Sequence, residues 1–308
     1  MTVKRAIKKK LMRAFKRVRR KIPSHTSTSL LLLGQQISRQ VASLPPNESF
    51  RRVGFKVFSQ WDEDGIIQYL ISHMKIQNQT FVEFGVEDYE ESNTRFLLLN
   101  DHWQGMVVDA SEADVRFIQT DRIYREFDIE AKCAWITREN ADVLLRDRTF
   151  SEDVGLLSID IDGNDYWIWD AIHSIRPCIV VVEYNSVFGL QPIAVPYKEN
   201  FNRLSEHYSG LYYGCSLGAL NQLAAKKGYI LVGSNIIGNN AFFIRSDFAT
   251  EFRAVDLEKA YVLSRFKESR NPSGNLSYVG GEDRRKLIEH LPVVNVTTGE
   301  EKPLKEFF

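Results

Sequence analysis

Residues 155–185 read GLLSIDIDGNDYWIWDAIHSIRPCIVVVEYN. Gly155 to Asp160 and Cys178 to Tyr184 carry apolar residues on consecutive positions (Leu156–Leu157 and Cys178–Val182), the pattern of strands buried on both faces. Tyr166 to Ile175 between them reads as a helix. A strand, a helix and a strand without a hairpin turn form the unit of a parallel sheet with right-handed crossovers. The same alternation extends towards the N-terminus. Asp62 to Lys75 reads as a helix with an acidic first turn, its Ile66, Ile67, Leu70, Ile71 and Met74 on one face. Strands are expected at Thr80 to Val86 (TFVEFGV), Gly105 to Asp109 (GMVVD) and Lys132 to Thr137, with helices over Asn93 to Asn100 and Asn140 to Arg146. Further on, Tyr229 to Val232 and Ala241 to Arg245 flank a Gly/Asn-rich turn and should pair antiparallel at an edge. The fold class is α/β: a doubly wound, mostly parallel Rossmann-like sheet with an antiparallel edge hairpin.

The chain has 308 residues, 44% hydrophobic and 26% charged, a balance that excludes global disorder. Its longest aliphatic runs, such as Leu30 to Leu33, fall far short of the roughly 20 residues a membrane-spanning helix needs. Cys133, Cys178 and Cys215 are widely spaced, without Cys-x-x-Cys, so neither a disulfide framework nor a thiolate zinc site is expected. They suit a reducing compartment, the cytoplasm, and read as buried, inert residues.

The net charge of zero conceals an asymmetry. Residues 1–22 hold eleven Lys or Arg and no acid, leaving 29 basic residues against all 40 acidic ones, a formal −11 on the remainder. Val3, Ile7, Leu11, Phe15, Val18 and Ile22 form one apolar stripe through this basic arm. Such a helix can lie on an anionic membrane surface, giving a peripheral location. A solvated tail, a helix packed on the body, and a mitochondrial presequence (residues 1–47 are basic and acid-free) are the competing readings. Nucleic acid is disfavoured, because the acidic body would repel phosphate. The expected organisation is an arm (1–22), a linker (23–50) punctuated by Pro23, Pro45 and Pro46, a Rossmann-like domain (51–249) and a C-terminal extension (250–308).

In a doubly wound sheet, ligands collect at the carboxyl ends of the strands. Those ends carry Glu83 and Gly85, Asp109, Asp160 with Asp162, and Glu183 with Asn185. An acid closing the second strand is where the ribose hydroxyls of a nucleoside would be held, so Asp109 takes that role, with a helix cap or loop acid as its competing reading. Asp160 and Asp162 are the catalytic candidates, since a carboxylate can relieve a hydroxyl of its proton. Asp162, Glu183 and Asn185 form an all-oxygen set of the kind that suits Mg²⁺ or another hard divalent cation. Asp162 and Asn164 are equally the residue types that cap a helix such as the one beginning near Tyr166. An EF-hand register fails, because Asp165 falls where glycine is needed and Ala171 where glutamate is needed. Trp167, Trp169, Tyr184, Tyr197, Tyr212 and Tyr213 could stack on sugar rings but read more simply as core or interface, and His173 and His207 as packed or surface residues.

Several of these segments resemble class I S-adenosylmethionine-dependent methyltransferases, and in detail their FkbM-like branch. They are FVEFGV (Phe81 to Val86), GMVVDAS (Gly105 to Ser111), LLSIDIDGNDYWIWDAI (Leu156 to Ile172) and VVVEYN (Val180 to Asn185), with SQWDEDGII (Ser59 to Ile67) and YYGCSLGALNQLAAKKGYILVG (Tyr212 to Gly233) beside them. The resemblance spans roughly residues 55–245 and implies an O-methyltransferase acting on a sugar hydroxyl of a glycan or glycolipid precursor. By position it puts Glu83 and Gly85 against the methionine part of S-adenosylmethionine, Asp109 on the ribose and Ser111 beside the adenine. The family-type loop continues with more glycine, whereas here Gly85 is followed by Val86, Glu87, Asp88 and Tyr89. That departure supports the alternative reading, a non-catalytic nucleoside-binding or scaffold protein. A nicotinamide enzyme is disfavoured, since Gly-x-Gly-x-x-Gly is absent after the first strand.

Overall fold

The computed structural model describes residues 25–146 and 153–308; the basic arm of residues 1–22 lies outside them. Ten strands follow in chain order: β1 (Thr80–Phe84), β2 (Gln104–Asp109), β3 (Ile129–Cys133), β4 (Leu156–Ile159), β5 (Ile179–Glu183), β6 (Ile193–Ala194), β7 (Tyr229–Ser234), β8 (Asn240–Arg245), β9 (Pro292–Asn295) and β10 (Glu301–Pro303). Seven make the main sheet, in the order β3-β2-β1-β4-β5-β8-β7. The first five are parallel, and β8 runs antiparallel to both β5 and β7. This is the doubly wound sheet with an antiparallel edge hairpin that the alternation implies. The order reverses between β1 and β4, the switch point at which such sheets open a crevice.

The unbroken apolar runs have a simple cause. Val82 and Phe84 of β1 belong to one apolar layer with Trp169, Leu220 and Phe243, while Phe81 belongs to the opposite layer with Ile66, Leu70 and Phe242. Successive side chains alternate between faces, and both faces are covered by helices, so both must be apolar.

Two expectations differ from the structure. The third strand lies at Ile129–Cys133, ahead of the expected 132–137. It is an edge strand, with Ile129 and Ala131 buried and Glu130 and Lys132 half-buried, so it lacks a continuous apolar run; the apolar pair Trp135 and Ile136 follows it. The expected linker contains a helix, His25–Val41. Gly34, Ser38 and Val41 are its buried positions, while Leu30, Leu32 and Leu33 are exposed, so hydrophobicity marks the wrong face. A Cβ on Gly34 would meet Val57 at 2.7 Å and Phe96 at 2.9 Å, which shows how closely this helix packs. The C-terminal extension is structured as well. Its β9 and β10 join β6 in a small sheet, and residues 261–264 are tied to Ser186, just beyond β5, by Tyr261 Oη to the Ser186 carbonyl (2.7 Å) and Ser264 N to Ser186 Oγ (2.9 Å).

Gly85 leaves β1 at φ +82°, and a Cβ there would lie 1.7 Å from the Asp160 carbonyl oxygen. Gly228, also at φ +82°, has nothing within 4 Å of its would-be Cβ. Backbone strain is therefore shared by the two sites and the steric clash is confined to one. Gly228→Ala should cost about 1 kcal/mol for a left-handed non-glycine residue, and Gly85→Ala at least about 2 kcal/mol more. Urea unfolding of the two variants would measure the difference; equal losses would refute the clash.

Candidate functional site

The carboxyl ends of the strands open into a cleft of about 620 Å³. Register brings its floor together. Phe84 pairs with Ile159, Ile159 with Val182, and Glu183 with Asn240, so the next positions place Gly85, Asp160, Glu183 and Asn240 in one row across four strands. Alternation along β4, β5 and β8 points Asp160, Glu183 and Asn240 to one side of the sheet.

Asp160, Asp165 and Glu183 each bring a carboxylate oxygen to within 4.8 Å of the others. Asp165 and Glu183 are buried and Asp160 half-buried. Burial, followed by repulsion from Asp162 and Asp165, holds the Asp160 carboxyl well above the ordinary carboxylate range. Burial and then Asp160, Asp162 and Asp165 do the same to Glu183. Glu183 Oε2 is buried without a hydrogen-bond partner.

The loop after β4 is shaped by Asp165, whose carboxylate accepts from Ile161 N (2.8 Å) and Gly163 N (3.0 Å). Its burial pushes its pKa up to about 6. Asn164 occupies the N-cap position of the helix Asp165–Ala171 but makes no side-chain cap bond; its Nδ2 donates to the Lys198 carbonyl (2.9 Å). Asp162 turns out of the triplet. It sits at φ +58° and pairs with Arg203 Nη1 at 2.6 Å, while the Arg203 guanidinium lies 3.9 Å over the Tyr213 ring. Asn185 is also drawn elsewhere: its Nδ2 donates to the carbonyls of Leu211 (2.9 Å) and Tyr213 (3.0 Å), and its Oδ1 accepts from Val187 N (3.1 Å). Of the expected oxygen set Asp162, Glu183 and Asn185, only Glu183 belongs to the triplet, which Asp160 and Asp165 complete.

Across the switch point, Asp109 lines the cleft at the end of β2. Its Oδ2 accepts from Glu87 N (2.8 Å) and its Oδ1 from Ser111 N (2.7 Å), an orientation that leaves each oxygen further acceptor capacity. Burial raises its pKa. Ser111 is the N-cap of the helix Glu112–Thr120, and Ala110 and Trp135 line the cleft beside Asp109. Glu83 is directed at its own loop, accepting from Ser92 Oγ (2.5 Å), Thr94 Oγ1 (2.5 Å), Asn93 N (2.8 Å) and Thr94 N (3.0 Å). Four donors match the lone-pair capacity of a carboxylate, so this side chain anchors residues 92–94.

Arg203, Asp165 and Asn240 carried no sequence signal of a site role. Among the expected aromatics Tyr213 lines the cleft and Trp169 is core; Trp61, Trp135, Phe201 and Phe266 line it instead. Cys178 and Cys215 are buried, as expected, whereas Cys133 is exposed at the end of its edge strand.

No protein-family model and no curated protein matches the chain. Among solved structures it is similar to an O-methyltransferase from Bacillus cereus in complex with SAH, at 14% identity and a TM-score of 0.38, over 73% of this chain and 91% of that one. It is also similar to a SAM-dependent methyltransferase from Aquifex aeolicus, at 7% identity and a TM-score of 0.35, over 68% and 98%. A third is an S-adenosylmethionine-dependent methyltransferase from Clostridium acetobutylicum, at 9% and 0.36, over 59% and 89%. Likenesses this distant do not bear on the chemistry of this chain.

The buried acids set a sign for stability against pH. Asp165, like Asp62 and Asp64, has its pKa moved up from 3.8 to about 6. The folded chain therefore binds more protons than the unfolded one between those values, and stability falls as pH rises through about 6. For Asp165 the shift corresponds to about 3 kcal/mol. Urea unfolding should show greater stability at pH 5 than at pH 7, and Asp165→Asn should flatten that slope while lowering stability overall.

Proposed function

We propose that the protein is an S-adenosylmethionine-dependent O-methyltransferase of the FkbM-like branch, acting on a sugar hydroxyl of a glycan or glycolipid precursor. The carrying observation is that Asp109, with both oxygens fixed by backbone N–H groups, shares one cleft with the Asp160–Glu183 pair across the switch point. The acidic cleft suits a sulfonium cofactor and hydroxyl groups. Bound S-adenosylmethionine supplies an electrophilic methyl group. Asp109 accepts hydrogen bonds from the ribose hydroxyls, and Gly85 lets the β1 exit press against Asp160, leaving the crevice beside it open. Methyl transfer needs the acceptor oxygen in line at about 3–3.5 Å, and Asp160, with Glu183 behind it, receives the hydroxyl proton. Asp162 acts through Arg203, fixing the wall opposite.

A divalent cation fits the same oxygens: Asp160, Asp165 and Glu183 would hold it, and the unpartnered Glu183 Oε2 is the observation in its favour. There it would lower the pKa of the acceptor hydroxyl. The alternative, a non-catalytic nucleoside-binding protein, keeps the Asp109 half of the cleft and predicts binding without turnover.

Asp109→Ala should weaken S-adenosylhomocysteine binding by about 2–4 kcal/mol, as for two hydrogen bonds to a charged group. Calorimetry on the folded variant reads this directly, and unchanged affinity would refute the ribose assignment. A proton acceptor held above the ordinary carboxylate range should give a rate that rises with pH until Asp160 ionises, well beyond the point at which a solvated aspartate would have levelled off. Persistence of activity in EDTA would remove the cation and leave the carboxylate mechanism.

For the arm, the proposed partner is an anionic membrane that receives the apolar stripe of residues 1–22 and offsets its eleven cations, holding a cytoplasmic protein peripherally. Among the described residues no helix is long and apolar enough to cross a membrane. Deleting residues 1–22 should abolish co-sedimentation with anionic vesicles and leave cofactor affinity intact. Binding of the full chain should weaken sharply with salt, because attraction acts within a Debye length of about 8–10 Å. Vesicle binding by the truncated chain would refute this role.

A further inference from the structure

Three side chains on the cleft wall carry buried oxygens that accept no hydrogen bond: Glu183 Oε2, Asn164 Oδ1 and Asn240 Oδ1. Their residues are 6%, 4% and 3% exposed. The amide orientations are set by their other ends, since Asn164 Nδ2 donates to the Lys198 carbonyl and Asn240 Nδ2 to Glu63 Oε1 (3.0 Å). The two amide oxygens are therefore acceptors that lack donors, and the ionised Glu183 carboxylate is a third. A buried polar atom without its partner is costly, so a floor that gathers several of one kind is built for a complementary ligand. Charge agrees. Nine carboxylates line the cleft against two arginines, Arg203 and Arg270. Both arginines already face a lining carboxylate, Asp162 at 2.6 Å and Glu268 at 3.4 Å.

We propose that Asp160, Glu183, Asn164 and Asn240 form an acceptor-recognition subsite that binds its ligand through hydroxyl and ammonium donors, so that the preferred substrate is an amino sugar, then a neutral sugar, and not a uronic acid or a sugar phosphate. The inference rests on the reading of this cleft as a sugar O-methyltransferase site and adds the substrate class. Asn240 and Glu183 are opposite one another in the β5–β8 ladder, so a ring bearing vicinal donors can bridge them. An ammonium group would also pair with the closely set carboxylates of the Asp160–Asp165–Glu183 triplet and favour their ionised form, without a metal ion. An anionic ligand would place like charge beside that triplet, and such mismatches discriminate strongly.

The test is ligand-observed NMR titration of the full chain with glucosamine, glucose, glucuronate and glucose 6-phosphate, in EDTA, with S-adenosylhomocysteine present and absent. Glucosamine should bind tightest and the two anions weakest, with steps on the order of tenfold for a charge contact in a buried site. Glu183→Gln should erase the preference for glucosamine over glucose, and Asp160→Asn supplies the same comparison if the first variant fails to fold. Equal or tighter binding of either anion, no binding of glucosamine, or binding that appears only when Mg²⁺ replaces EDTA would overturn the proposal. If S-adenosylhomocysteine fails to bind while the sugar ranking holds, the methyltransferase reading falls and this subsite stands.

Discussion

Between Gly85 and the Asp160 carbonyl there is no room for a side chain, and the geometry of the cleft follows from that contact. β1 stays hydrogen-bonded to both parallel neighbours up to its last residues, with Gly85 N donating to the Val108 carbonyl of β2 (2.9 Å) and Asp160 N, at the end of β4, donating to the Phe84 carbonyl (3.1 Å). The chain must then leave β1 at φ +82°, a conformation open to glycine at little cost. The loop that follows is gathered back by Glu83, through the hydroxyls of Ser92 and Thr94 and the amides of Asn93 and Thr94. One close backbone approach thus lowers the floor at the switch point, and one buried carboxylate holds the loop clear of it.

The floor is electrostatically unfavourable by construction. Removing carboxylates from water costs several kcal/mol each unless they are paired, and here the nearest arginine is engaged by Asp162 and not by the triplet. Protonation offsets part of the cost, which is why Asp160, Asp165 and Glu183 all have raised pKa values with burial as the leading cause. The apolar layers on both faces of the sheet, with Trp169, Phe243, Phe81 and Phe242 fully or almost fully buried, provide the stability that such a site consumes. Strain concentrated at one end of an otherwise well-packed sheet marks a place where folding alone does not explain the residues present.

The parallel core was legible because burial on both faces leaves a clear trace: three of the four residues of β4 are apolar, Ser158 excepted, and four of the five of β5, all but its terminal Glu183. Where burial is one-sided the trace weakens. The edge strand β3 alternates, and a neighbouring Trp135–Ile136 pair outside the ladder looked more strand-like than Ile129–Cys133 itself. The helix His25–Val41 inverted the usual cue, since it packs through Gly34 and Ser38 and exposes three leucines. At the site, the carboxylates Glu83, Asp109, Asp160 and Glu183 were identifiable as strand-end acids, but their hydrogen bonds were not. Nothing in local sequence tells Asp162 from Asp165, two acids separated by Gly163 and Asn164. A left-handed turn sends the first to Arg203, 41 residues away, and the backbone amides of Ile161 and Gly163 hold the second inward.

Asn240 illustrates why direction matters as much as composition. A search for site residues at strand carboxyl ends is sound for β1 to β5, which all arrive at the cleft by their last residues. β8 runs the other way, so it departs from the cleft by its first residue, and that residue stands opposite Glu183. The turn preceding it is fixed from the body of the protein: Asn235 Oδ1 accepts from Gly238 N, Asn239 N and Asn240 N, while Glu63 Oε1 accepts from Asn235 Nδ2 and Asn240 Nδ2. Glu63 opens the helix before β1, in the SQWDEDGII segment. The acidic start of that helix therefore has a second task beyond favouring the helix N-terminus. It turns the Asn240 amide so that its oxygen, not its nitrogen, is left without a partner. An amide rotated the other way would offer a donor to the carboxylate row and cancel part of its charge. With Glu63 in place, the antiparallel strand extends the acceptor row of the parallel ones, and the cleft keeps one chemical character from β4 to β8.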